Sequence, residues 1–359
     1  MSWYQRWMHN RETRLTLRDP HRRIFPFDWG LNWVDSDNDL DETPHPLESL
    51  KKYAEGILSN SDPYFQPPPL ENAVLIKDVL TFSTPTPGPY PENNTVYCRI
   101  FRAPEAENAV IVVPQWNAQE DSHTGLCRML KRLGITAVRL CMPYHERRLG
   151  PEMQRADYMI SPNIGRTLHA TRQAVLEIRQ IAMWLRERGY QKIGVLGTSV
   201  GSCISYLAFV HDPSICTGVF NHVSSFFADV VWTGLSTRYV RWGLEGNITL
   251  EDLRRCWAPI SPWFHVHRLK SHNRPHLLIT AKYDLTFRPE LTEKIFEEYQ
   301  AHKIPYRRVI LPCGHYTSAT FPFNYLDGWH MCRYLVGQLR SRGQKKRAAR
   351  VENPLIPDP

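Results

Sequence analysis

The chain has 359 residues, 42% of them hydrophobic and 22% charged, a globular composition long enough for one large domain with insertions or for two ordinary ones. Its formal charge of +8 sits at the ends: residues 1–23 carry +4 and residues 340–350 carry +6, which leaves the rest of the chain at −2. That distribution argues against nucleic-acid binding by the body of the protein, and no apolar run approaches the roughly 20 residues needed to cross a bilayer.

Residues 1–73 read as an arm packed on the main domain, rich in Trp and Arg, with a predicted helix at LESLKKYAEGIL (47–58) and a stop at Pro67, Pro68 and Pro69. Nothing near Met1 has the order of a secretory signal, and the eight cysteines are scattered without metal-site spacing, so the expectation is reduced thiols in a cytoplasmic protein. VLIKDVLTF (74–82) and TVYCRIF (95–101), parted by the turn-rich STPTPGPYPENN, predict an antiparallel opening to a sheet.

From residue 108 short apolar strands alternate with longer helical patterns. Strands are expected at 109–113, 135–141, 192–197, 217–223, 276–281 and 306–311, which predicts an α/β fold: a mostly parallel central sheet with helices on both faces. Leu168, Thr171, Val175, Ile178, Ala182 and Leu185 recur at helical spacing, and Gly189 is placed to end that helix in a left-handed cap. Residues 225–274 interrupt the alternation with an aromatic-rich insert holding Trp232, Trp242, Trp257 and Trp263; these fit an apolar pocket wall and the insert's own core equally well. Within it, Thr249 and Asp252 have capping-box spacing. Residues 341–359 read as a basic tail, solvated or in contact with anionic surfaces.

The stretch KIGVLGTSVGSCISYLAF (192–209) places Gly-x-Ser-x-Gly between a strand and a helix, where a sharp turn would expose the Ser199 hydroxyl. A hydroxyl is a poor nucleophile at neutral pH and needs a base, itself oriented by an acid. Asp284 closes HLLITAKYD and His315 closes YRRVILPCGH, each just after its own strand. Asp229 and Asp327 compete for the acid's place, and His222 for the base's. Glu120, Asp121 and His123 form a second polar group, read as loop and helix cap, with Asp121 or Ser122 capping. Arg147 and Arg148, at the carboxyl end of a strand, are candidates for binding a substrate carboxylate or phosphate. His265 and His267 alternate like metal ligands but lack a third, so no metal is expected.

The order Ser199, Asp284, His315 resembles the α/β-hydrolase superfamily over about residues 74–340. The resemblance implies that the 225–274 insert is a cap and that the amide of Val200, after the serine, supplies one oxyanion donor. The second donor should come from the loop after the 109–113 strand, where many members have His-Gly and this chain has Pro114-Gln115-Trp116-Asn117. By position the Trp116 amide is the choice, with Asn117 next and also a substrate contact. The activity implied is hydrolysis of a small-molecule carboxylic ester or thioester through an acyl-enzyme, with no cofactor. A peptidase or acyltransferase using the same residues, and a non-catalytic binding protein, are the alternatives.

Overall fold

The computed structural model describes residues 1–19, 21–34 and 45–340; the expected basic tail lies outside them. Nine strands form one sheet in the order β1-β2-β3-β5-β4-β6-β7-β8-β9. They are β1 (Val74–Ile76), β2 (Val79–Ser83), β3 (Thr95–Phe101), β4 (Asn108–Val113), β5 (Thr136–Cys141), β6 (Lys192–Thr198), β7 (Ile215–Asn221), β8 (His276–Ala281) and β9 (Arg307–Leu311). β1, β2 and β3 pair antiparallel, β3 pairs antiparallel with β5, and the remaining pairings are parallel. One expectation needs correction: VLIKDVLTF is a hairpin, because Lys77, at φ 56°, turns the chain so that Ile76 faces Val79.

The central strands are buried on both faces, so their alternation feeds two cores. Ala109, Ile111 and Val113 of β4 join one core, while Val110 and Val112 join the other. The first core is covered by α2 (Pro46–Ser59), α3 (Ser61–Phe65), α5 (Ile164–Glu187), α6 (Val200–His211) and α10 (Pro289–Ala301). The second is covered by α1 (Trp3–Thr16), α4 (Thr124–Arg132) and α11 (Phe323–Leu339). Residues before β1 therefore reach both faces: Met8 packs on the α11 side, and Leu50 and Phe65 on the α5 side. The insert between β7 and β8 carries α7 (Phe227–Thr233), α8 (Arg238–Leu244) and α9 (Leu250–Cys256), the last capped by Thr249, whose hydroxyl accepts the Asp252 amide. Gly189, at φ 85°, follows α5 in the left-handed region as expected. Among the described residues, no helix is long and apolar enough to cross a membrane.

Candidate active site

β6 ends at Thr198 and α6 starts at Val200, which leaves Ser199 alone to reverse the chain. It does so at φ 58°, ψ −126°, a conformation costing a non-glycine residue on the order of 1–3 kcal/mol. The turn is held by the Ser199 amide donating to the Asn221 carbonyl at 2.8 Å, at the end of β7. The flanking glycines are sterically required. A Cβ on Gly197 would run into Ser205 Oγ and the Gly201 carbonyl, and one on Gly201 into the carbonyls of Pro114 and Val113.

The turn points the hydroxyl at the loops after β8 and β9. Ser199 Oγ lies 3.0 Å from His315 Nε2, and His315 Nδ1 lies 2.9 Å from Asp284 Oδ2. Asp284 is fixed from behind: its Oδ1 accepts the amides of Thr286 and Phe287, both at 2.7 Å. Its Oδ2 also accepts from His222 Nδ1 at 3.1 Å. Burial pushes the Asp284 carboxyl up, but the His315 charge and the two imidazole hydrogen bonds outweigh it, leaving the group well below the usual carboxylate range. Burial likewise disfavours the charged form of His315, yet the Asp284 charge and hydrogen bond, with Glu12 adding to them, raise its pKa above the ordinary value. The imidazole stacks on Phe287 with ring centroids 5.1 Å apart.

The competing groups have other partners. His222 bonds Asp284 through Nδ1 and Ser318 Oγ through Nε2, not Ser199. Asp229 receives two bonds from Arg254, each 2.7 Å. Asp327 lines the same cavity but accepts from Asn221 Nδ2 at 2.7 Å; its burial, only partly offset by His222 and Asn221, pushes it up to about 6.

Ser199 opens into a cavity of about 730 Å³, which Trp116, Asn117, Val200 and His315 also line. Val200 is the first residue of α6, so its amide lacks an intrahelical acceptor. The loop after β4 is pinned differently. The Asn117 amide donates to His145 Nε2 at 2.9 Å, its side-chain oxygen accepts the Ala156 amide, and Trp116 Nε1 donates to the Ala156 carbonyl. With the Asn117 amide engaged, no described residue accepts from the Trp116 amide.

Arg147 and Arg148 do not reach this cavity, which corrects the sequence reading. Arg148 is fully buried in a bidentate pair with Glu177 of α5, both contacts 2.7 Å, and Arg147 is exposed beside Glu120 at 3.0 Å, on a separate cavity. The α4 cap is also not as expected. His123 occupies the cap position at φ 63° without a side-chain bond to the helix, and its imidazole bonds Thr198 Oγ1 at 2.9 Å. Burial, with Arg139 adding to it, lowers His123 to about 4, so it is neutral at pH 7. None of the four insert tryptophans lines the cavity; Trp257 is buried and donates to the Ile164 carbonyl. His265 is buried with Nε2 on the Pro259 carbonyl. His222, Asp284 and His315 place ligand-type atoms within 4.8 Å of one another, an arrangement that their own hydrogen bonds account for.

Three contributors escaped the sequence reading: His222, as a second donor to Asp284; His145, under Asn117; and Glu12 of α1. The buried Glu12 carboxylate accepts the Tyr316 amide at 2.9 Å and the Thr317 amide at 2.7 Å, and lies where a Cβ on Gly314 would be. A lone acid in an arginine-rich helix was the one available signal, and it gave no partner.

No family model and no curated protein sequence matches the chain. Among solved structures, an acylaminoacyl peptidase of Pyrococcus horikoshii superposes with a TM-score of 0.54 at 12% identity, over 69% of this chain and 40% of its own. A puromycin-hydrolysing peptidase of Mycobacterium tuberculosis gives 0.53 at 15% identity, over 68% and 37%. A Pyrococcus furiosus esterase gives 0.50 at 15% identity, over 77% of this chain and 100% of its own. The match thus spans about two fifths of each peptidase. With a mostly parallel sheet, helices on both faces and these structural likenesses, the chain has the α/β-hydrolase fold.

Proposed function

We propose that the protein is a serine hydrolase that cleaves a carboxylic ester or thioester through an acyl-enzyme. The observation that carries this reading is the hydrogen-bonded line from Ser199 Oγ through His315 to Asp284, starting at a strained turn. Asp284, ionised and acceptor-only, takes the His315 Nδ1 proton as its bond partner, which leaves the Nε2 lone pair facing Ser199. As Oγ forms a bond to the substrate carbonyl carbon, Nε2 takes the hydroxyl proton, and it returns that proton to the leaving oxygen or sulfur. Water then repeats the sequence on the acyl-enzyme. The developing oxyanion is received by the Val200 amide at the start of α6, where the helix dipole also favours negative charge, and by the Trp116 amide.

A peptidase reading draws support from the two peptidases among the structural likenesses. Paired substrates separate the two: p-nitrophenyl esters and p-nitroanilides of the same acyl groups. Ester turnover is expected, reduced about 10⁴-fold or more by Ser199→Ala. Anilide cleavage of comparable efficiency would instead favour the peptidase, and ester turnover that survives the substitution would remove Ser199 as nucleophile.

A further inference from the structure

The large apolar side chains left in water are concentrated on two segments. Trp3 (72% exposed) and Trp7 (40%) lie one turn apart on α1, and Phe321 (75%), Tyr325 (71%) and Trp329 (50%) recur every four residues into α11. The two sets adjoin. The Arg11 guanidinium sits 5.4 Å from the Trp7 ring centre, and its Nη2 donates to the Thr320 hydroxyl at 3.3 Å, one residue before Phe321. At the far end, Arg333 lies 5.0 Å over the Trp329 ring. An aromatic patch of this extent is unlike the singly scattered apolar residues of an ordinary surface.

Its charge is of one sign. Between residues 1 and 18 the acid is Glu12, and between 320 and 340 it is Asp327; both are buried. Arg6, Arg14, Arg18 and Arg333 are exposed on the same two segments. Tryptophan and tyrosine rings with arginines beside them match the headgroup region of a bilayer, where an aromatic body is buried shallowly and cations meet anionic lipid. The patch also borders the cavity that holds Ser199: Leu15 and Arg18 line it from the α1 side, and Asn324, Gly328 and Met331 from α11.

We infer that the face formed by α1 and the start of α11 docks on an anionic lipid surface, with the mouth of the Ser199 cavity beside the contact. Docking requires only these two segments and is independent of whether Ser199 reacts. It would place the cavity next to apolar or amphipathic molecules held in the bilayer.

Flotation of the full chain with phosphatidylcholine vesicles, with and without 30 mol% phosphatidylglycerol, tests this. Binding to the anionic vesicles is expected, with quenching of tryptophan fluorescence by brominated acyl chains. The variant Trp3→Ala/Trp7→Ala/Trp329→Ala should bind at least about tenfold more weakly. Arg6→Gln/Arg14→Gln/Arg333→Gln, which keeps every aromatic side chain of the face, should lose the preference for anionic lipid and so decides the matter if the first variant does not fold. Absence of flotation with anionic vesicles, or flotation unchanged in both variants, would overturn the inference. So would a dimer seen by sedimentation velocity that the tryptophan substitutions abolish while vesicles remain unbound, since the face would then pair with a second copy.

Discussion

On one wall of the cavity, Ser199, His315 and Asp284 lie in a single line of hydrogen bonds, each at the carboxyl end of its own strand. A second wall, lined by Gln115, Trp116 and Asn117, is a loop whose shape depends on residues farther along the chain: His145 under the Asn117 amide and Ala156 bonded to both Trp116 and Asn117. The first wall is built from strand ends that the sheet fixes, the second from borrowed contacts. Chemistry on the first wall should therefore fail abruptly when one group is changed, and on the second by degrees.

The largest expected loss is at Asp284. Asp284→Asn keeps a side chain of the same shape but removes the charge that orients His315, and kcat should fall about 10⁴-fold on any ester the protein hydrolyses. A loss under tenfold would mean that His222 or another group orients the base.

Next is His145→Ala, which removes the acceptor of the Asn117 amide. If the Trp116 amide receives the oxyanion, kcat should drop about 10²-fold with KM little changed, because the loop that presents it loses one of its anchors, the one on the neighbouring amide. An unchanged kcat would assign the second donor elsewhere.

Glu12→Gln should cost about tenfold in kcat/KM, since Tyr316 and Thr317 donate to different oxygens of the carboxylate and glutamine puts an NH2 donor in place of one of them. Its pH profile carries more information. The base must be neutral to act, and His315 is raised above its ordinary value, so the wild-type acid limb should lie above pH 6.5. Asp284 provides the larger upward push, Glu12 a smaller one, while the His222 ring lies tilted against His315 with centroids 4.8 Å apart and Arg22 bonds the adjacent Tyr316 hydroxyl. Removing the Glu12 charge should move the limb to lower pH. An unmoved limb would reduce Glu12 to a packing role.

The smallest effect should be at Arg147. It is exposed and outside the cavity, so Arg147→Ala should leave kcat/KM within about twofold. A larger loss would return this arginine to the substrate site.

The same contrast explains what could be read from the sequence. Six strands from residue 108 onward were legible to within about two residues, because runs such as AVIVV and HLLITA are buried on both faces and have no other place to go. The tight turn at Ser199 was legible because close backbone approach demands glycine at 197 and 201, and the positions of Asp284 and His315 because each lies in the loop after its strand. The Lys77 turn inside VLIKDVLTF was missed, since no Gly or Pro marks it. Arg147 and Arg148 look alike locally; Glu177 on α5 decides which enters the core. His145, His222 and Glu12 act through contacts that span 28 residues, 62 and 96 residues, and 304 and 305 residues, and no local pattern encodes such pairings.

The claim that Ser199 is an activated nucleophile is tested most directly by fluorophosphonate labelling followed by peptide mapping, on wild type and on His315→Ala. Stoichiometric phosphonylation of Ser199 is expected in the folded wild-type protein, with labelling at least about a hundredfold slower in His315→Ala. Folded wild-type protein that stays unlabelled, or label carried by another residue, would contradict it.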